Sequence, residues 1–408
     1  MPLGEAREIN HVRESALASI NKLQTMLAGP TDFLQQLVSQ TQLLACLQWL
    51  GEFQVPAYIP LEGGASVKDV ADLIGVPETQ LCRVIRMVTT AGFLQLSQQG
   101  YITHTPLSIS FVAKPSYLDA AMFLAGTAAP AALEMTAAIK QPSGSSEKSS
   151  NTMHNTSFNN TIFSSAGETQ SPRLQRQWHS YLRYGTGYIC DTATDILTCL
   201  EPLRNGNASV VEVGARSTER ASALANQYPR LRFTVQLSPM AIVSSSRHGH
   251  TASKFDNTRY PYPDPRITVQ HRVPGTPQHI QDAAVYILNF PLPMLGVSST
   301  SLATQIKAEL NAHLNAIRVN HSAIMVLTAP VSLEPGLGST EAATLARVRD
   351  LSLSQLGNER ELEMSEVLNL LNGVSDSEGR IVLVNIVRPV SNSGAIALEV
   401  KYQVYADR

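Results

Sequence analysis

The chain is short of charge, short of cysteine and without a long apolar run, and each shortage excludes something. Charged residues make up 16% of its 408 positions and the formal net charge is −2, so neither nucleic acid nor an anionic membrane is an expected partner. The four cysteines, Cys46, Cys82, Cys190 and Cys199, show no Cys-x-x-Cys spacing. That argues against a metal site or a disulfide framework, and for small buried hydrophobes in a reduced compartment. The first 28 residues lack a signal-type apolar core, and no segment approaches the roughly 18 apolar residues of a membrane span. A soluble, cytoplasmic protein is expected.

What is present suffices for two or three domains. Residues 9–27 and 31–53 carry apolar side chains at helical spacing, with Gly29-Pro30 as the break. A helix starting at Ser66 and stopped by Gly75-Val76-Pro77 precedes another over 78–91, then two short alternating runs over 92–96 and 100–105. That order predicts a winged helix. Its second helix carries only Arg83 and Arg86 as basic residues, so DNA binding is not expected. Over 141–171 the composition turns to Ser, Asn, Thr and Gly, a long loop or lid. Beyond it, strands are predicted over 209–214, 232–236, 266–269, 284–289 and 323–328, helices over 218–227 and 300–317, and a final hairpin over 381–387 and 395–404. Such alternation means a mostly parallel sheet with an antiparallel edge. The expected division is a helical domain over 1–135, the loop or lid over 136–172 and an α/β domain over 173–408.

The run Val210-Val211-Glu212-Val213-Gly214-Ala215-Arg216-Ser217-Thr218 has the outline of a nucleotide-binding strand and turn. Such a turn needs bare backbone close to its ligand. Only Gly214 remains of its glycines, and Arg216 and Thr218 bring side-chain volume into the space.

Together with Gly75-Val76-Pro77-Glu78, with Tyr101-Ile102-Thr103-His104-Thr105-Pro106 and with the late segment Leu356-Gly357-Asn358-Glu359-Arg360-Glu361, this order resembles the dimeric O-methyltransferases of fungi and plants over nearly the whole chain. The resemblance implies a doubly wound, mostly parallel Rossmann-like α/β sheet, an N-terminal helical winged-helix dimerisation domain and a homodimer. It also shows losses. Leu237 stands where the family has the acid that binds the ribose hydroxyls of S-adenosylmethionine (SAM), a loss of about 1–3 kcal/mol if they go unpaired. Val273 replaces a second cofactor-side acid, and Pro293 with Met294 replaces the histidine base, neither able to move a proton. The acid ending the next strand is gone near Thr328, while Glu359 remains.

Fungal relatives of this fold that lost methyl transfer resemble pericyclases. The resemblance therefore implies an enzyme that helps a polyketide or polyketide–peptide substrate dehydrate to a reactive alkene and cyclise in a shaped pocket. No cofactor is required for this, and residual SAM binding at Gly214 is left open; no metal is expected. His154, Thr218 and Arg216 are the candidate catalytic residues. Trp178, Tyr181, Tyr184, Asn289, Met294 and Glu359 are candidates for lining the substrate. Each has a plainer reading: a loop histidine, a helix-capping hydroxyl at Thr218, a solvated Arg216, aromatic core residues and a structural carboxylate. Two rival functions are a non-catalytic partner binding a methyltransferase or cyclase through the N-terminal module, and a divergent SAM-dependent O-methyltransferase.

Overall fold

In a computed structural model the described residues are 3–140, 171–188, 208–238, 264–295, 300–330, 340–357, 359–387 and 395–405. They form two compact units, Ser15–Gly187 and Tyr188–Arg408, the latter together with Met1–Glu14.

The first unit is helical. Helix α1 (Leu3–Leu27), of which the part from Ser15 on belongs to this unit, and α2 (Pro30–Glu52) meet at Gly29-Pro30, with proline in the first turn of α2, where its missing N–H costs nothing. Strand β1 (Ala65–Ser66) leads into α3 (Val67–Ile74), whose N-cap Ser66 hydroxyl accepts the Asp69 N–H at 3.0 Å and whose C-cap Gly75 sits at φ +71°. Helix α4 (Glu78–Thr90) follows, then β2 (Leu94–Leu96) and β3 (Tyr101–His104). These three strands pair antiparallel in the order β1-β3-β2. Leu81, Val84, Ile85 and Val88 of α4 bury one face against Val67, Val70, Phe93 and Ile102, each side chain contributing about 1.5–3 kcal/mol.

Helices α5 (Pro106–Ala113), α6 (Ser116–Phe123), a π turn, α7 (Ala129–Leu133), α8 (Met135–Lys140) and α9 (Pro172–Tyr184) complete the unit. The run Ser116–Ala137 is long and apolar enough by length and composition to cross a membrane, where the sequence reading expected no such segment. Within it Ala120, Met122, Phe123, Ala128 and Ala131 are buried, whereas Leu133 and Met135 are exposed. Against it lies α9, whose Trp178 and Tyr181 rings sit 5.3 and 5.1 Å from the Phe123 ring. With this packing α9 falls in the first unit, which runs to Gly187.

The second unit alternates strand and helix: β4 (Ser209–Ala215), α10 (Glu219–Gln227), β5 (Arg232–Leu237), β6 (Ile267–His271), β7 (Val285–Asn289), α11 (Leu302–Val319), β8 (Ile324–Pro330), α12 (Thr340–Gly357), α13 (Met364–Asn372), β9 (Gly379–Val387) and β10 (Ala395–Val404). The seven strands run β6-β5-β4-β7-β8-β10-β9. Pairings from β6 to β8 are parallel, and β10 is antiparallel to both β8 and β9. The doubly wound, mostly parallel sheet is as expected from sequence.

At the β9–β10 edge Gly379 has no room for a side chain, since a Cβ there would lie 2.3 Å from the Gln403 carbonyl oxygen and 2.7 Å from the Tyr402 ring. Backbone cannot swing aside as a side-chain tip can. Gly379→Ala is expected to cost about 1–3 kcal/mol, read as a lower urea midpoint at unchanged m-value. A midpoint equal to wild type would refute the close approach.

Candidate functional site

From β4 the chain steps outward to β5 and β6, then returns to the other side of β4 with β7 and β8. The C-terminal ends of β4 and β7 therefore flank the topological switch point, where doubly wound sheets open their ligand crevice. Gly214 lies there at φ +67°, a conformation that L side chains rarely adopt, and a Cβ would come within 3.4 Å of the Asn289 carbonyl.

A polar network spans these strand ends. Glu212, on β4, is 3% exposed. Arg220, in the first turn of α10, brings Nη1 to 2.5 Å from Asn289 Oδ1 and 3.4 Å from Glu212 Oε1. Asn289, at the end of β7, donates Nδ2 to the Val213 carbonyl at 3.0 Å and to Glu212 Oε1 at 3.4 Å. The Thr328 hydroxyl on β8 donates to Asn289 Oδ1 at 3.1 Å. Glu212 Oε2 is buried with no partner among the described residues. Burial pushes the Glu212 carboxyl up, with Arg220 and then Asn289 pulling the other way.

At the end of β5 the residues are Gln236, Leu237 and Ser238, none of them acidic. The loop after β6 is held instead by Arg272, which pairs with Glu309 of α11, while the other Glu309 oxygen accepts the Gly275 N–H at 2.6 Å. Val273 is 62% exposed. These groups do not suit SAM. Its ribose would find hydrocarbon at Leu237, and Glu212, the one acid at the crevice among the described residues, is already paired to a cation.

The other sequence-predicted residues scatter. Arg216 is exposed, close enough for its charge to act on Glu212 and Tyr188. Thr218 stands at the N-cap of α10 but its hydroxyl makes no capping bond, which corrects the helix-cap reading; the Ser217 hydroxyl accepts the Glu219 N–H instead, at 3.3 Å. Trp178 and Tyr181 are buried core residues of α9. Tyr184 packs against Tyr117, their rings tilted by 44° with centroids 4.3 Å apart. Met294 is half exposed, and Gly357 packs against its carbonyl so closely that a Cβ would lie 2.9 Å away. Glu359 accepts the Leu302 N–H at 3.0 Å, so its carboxylate braces the N-terminus of α11. Burial pushes that carboxyl up, and the Leu302 bond offsets part of the rise. Of the predicted residues only Gly214 and Asn289 meet at the crevice; His154 lies outside the described residues. Sequence reasoning gave no role to Arg220, whose position in a helix's first turn does not reveal which way it reaches.

No family model matches the chain. It is 62% identical over 402 residues to the agnestins biosynthesis cluster transcriptional coactivator AgnL9 of Paecilomyces divaricatus, covering 98% of this chain and 89% of that protein. It is 56% identical over 383 residues to the transcriptional coactivator AacuS of Aspergillus aculeatus, covering 93% and 89%. Among solved structures it is similar to LepI in complex with SAM, with a TM-score of 0.66 at 16% identity over 96% of this chain and 94% of that one. It is also similar to the mitomycin 7-O-methyltransferase MmcR, with a TM-score of 0.60 at 17% identity over 96% and 99%. The O-methyltransferase-type fold expected from the sequence is thus present, its structural neighbours being enzymes. The expected pericyclase function is overturned: proteins alike along nearly the whole chain are named as coactivators, whereas likeness at 16% identity carries the fold alone.

Proposed function

We propose, from the premise that this chain belongs to the family of fungal biosynthesis-cluster transcriptional coactivators, that it raises transcription of a specialised-metabolite gene cluster by contacting other proteins. The observation that carries this reading is the 62% identity to such a coactivator over 402 residues. Two features support it. Arg83 and Arg86 are the only basic residues of α4, too few for the basic face by which a helix grips a DNA backbone, so a coactivator built this way reaches promoters through a DNA-binding partner. Ile20 and Leu23 on α1 and Phe33, Leu34 and Val38 on α2 are each more than half exposed, an apolar surface suited to protein contacts, among them the homodimer implied by the methyltransferase resemblance.

The test is transcript analysis in the producing fungus after deletion of the gene. All genes of the cluster should lose expression together and regain it with the wild-type copy. Unchanged transcripts accompanied by build-up of one pathway intermediate would defeat the reading, because that is the signature of a missing enzyme.

A further inference from the structure

We infer that Arg220 is an internal ligand of the switch-point crevice, holding with its own positive charge the one buried carboxylate described there, so that the chain has no working SAM site. The argument is geometric. The Arg220 guanidinium spans the ends of β4 and β7 by pairing with Glu212 Oε1 at 3.4 Å and Asn289 Oδ1 at 2.5 Å. Its side chain is only 16% exposed, so it lies within the crevice and not over it. The Asn289 amide is committed on its other side to the Val213 carbonyl and receives the Thr328 hydroxyl. Among the described residues, Arg220, Asn289, Thr328 and one oxygen of Glu212 are therefore already engaged with one another at the two strand ends.

A cofactor entering here would have to displace that guanidinium from Glu212, a carboxylate 4% exposed whose second oxygen has no partner among the described residues. It would then meet Leu237 where its ribose needs an acceptor. A cationic ligand could replace the first interaction, but nothing at the end of β5 supplies the second. The fold keeps the crevice's topology and ties its two strand ends together with its own side chain.

The experiment uses the full chain with S-adenosylhomocysteine as probe. Millimolar probe is expected to leave the wild-type Tm unmoved and to give no binding heat in calorimetry. Arg220→Ala should lower Tm by about 5–10 °C, because it leaves a buried carboxylate unpaired. Glu212→Gln/Arg220→Ala should recover most of that loss by removing the stranded charge, and this arm remains readable if the single variant does not fold. Micromolar affinity of the wild type for the probe would overturn the inference. So would an Arg220→Ala variant as stable as wild type, since the guanidinium would then brace nothing.

Discussion

Replacing Arg349 by alanine is expected to lower the unfolding free energy of the α/β unit by about 3–5 kcal/mol, the cost of leaving a buried charge without its partner. Arg349, on α12, and Glu361, just after it, each have side chains only 3% exposed. The Arg349 Nε donates to Glu361 Oε1 at 2.9 Å and Nη2 donates to the same oxygen, while Glu361 Oε2 is buried with no partner among the described residues. The Glu361 backbone N–H is held by Asp350 Oδ1 at 3.0 Å. Burial pushes the Glu361 carboxyl up and the Arg349 guanidinium is the chief group opposing it, so its removal leaves desolvation met only by the weaker pull of Arg347. Against a domain stability of about 5–15 kcal/mol that loss is large. Equilibrium urea denaturation measures it. Arg349→Met with Glu361→Leu should cost less than Arg349→Met alone, because an apolar pair strands no charge. A single variant as stable as wild type would show that the pair is solvated in the folded chain.

This pair also explains why the late segment keeps the look of a methyltransferase motif without its chemistry. Glu359 braces α11 through the Leu302 N–H and Glu361 balances Arg349, so both carboxylates have structural work that outlasts any catalytic role. A motif retained for packing is indistinguishable in sequence from one retained for proton transfer. The strands were legible because buried parallel strands read as continuous apolar runs, as in Val210, Val211 and Val213 of β4 or Val285, Tyr286 and Ile287 of β7. Strand β1 was not, since two residues carry no period. Helix α9 was legible as a helix, whereas its Trp178–Tyr181–Phe123 cluster was not, because it forms with a segment some fifty residues earlier in the chain. At the crevice, Gly214 announced itself by type. Arg220 did not, because only the sheet register that sets Val213 beside Leu288 brings Asn289 within its reach. The choice of function failed for a different reason: replaced cofactor contacts say which chemistry has gone, and the residues that remain do not say what took its place.

Acidification from pH 6.5 to pH 4 is expected to remove about 3 kcal/mol of stability through a single buried histidine, His313 on α11. The ring is fully enclosed. Its Nδ1 lies 2.8 Å from the Glu309 carbonyl and must donate to it, so Nε2 is the acceptor for the Gln278 Nε2 group at 3.1 Å. Gln278 in turn exchanges both amide bonds with Gln236 on β5, at 2.9 and 3.0 Å, and takes the Ile280 N–H at 3.2 Å. A proton on Nε2 would set two donors face to face inside the core; burial first, with the Arg272 charge adding to it and the Glu309 contacts offsetting part of the fall, brings the imidazole down from 6.5 to about 4. The sign follows from linkage: between those values the unfolded chain binds the proton and the folded chain does not, so stability is complete above about pH 6.5 and declines as pH falls toward 4. At about 1.4 kcal/mol for each tenfold difference in proton affinity, the full drop is ~3 kcal/mol. Urea titrations at several pH values would measure it, with His313→Gln as the reference whose stability lacks this component of the slope. An imidazole resonance of His313 that titrates near 6.5 in the folded protein would refute the buried network. One that stays neutral to about pH 4 would place Gln236, Gln278 and His313 among the groups that fix α11 on the sheet, the helix from which Glu309 holds the loop beside Leu237.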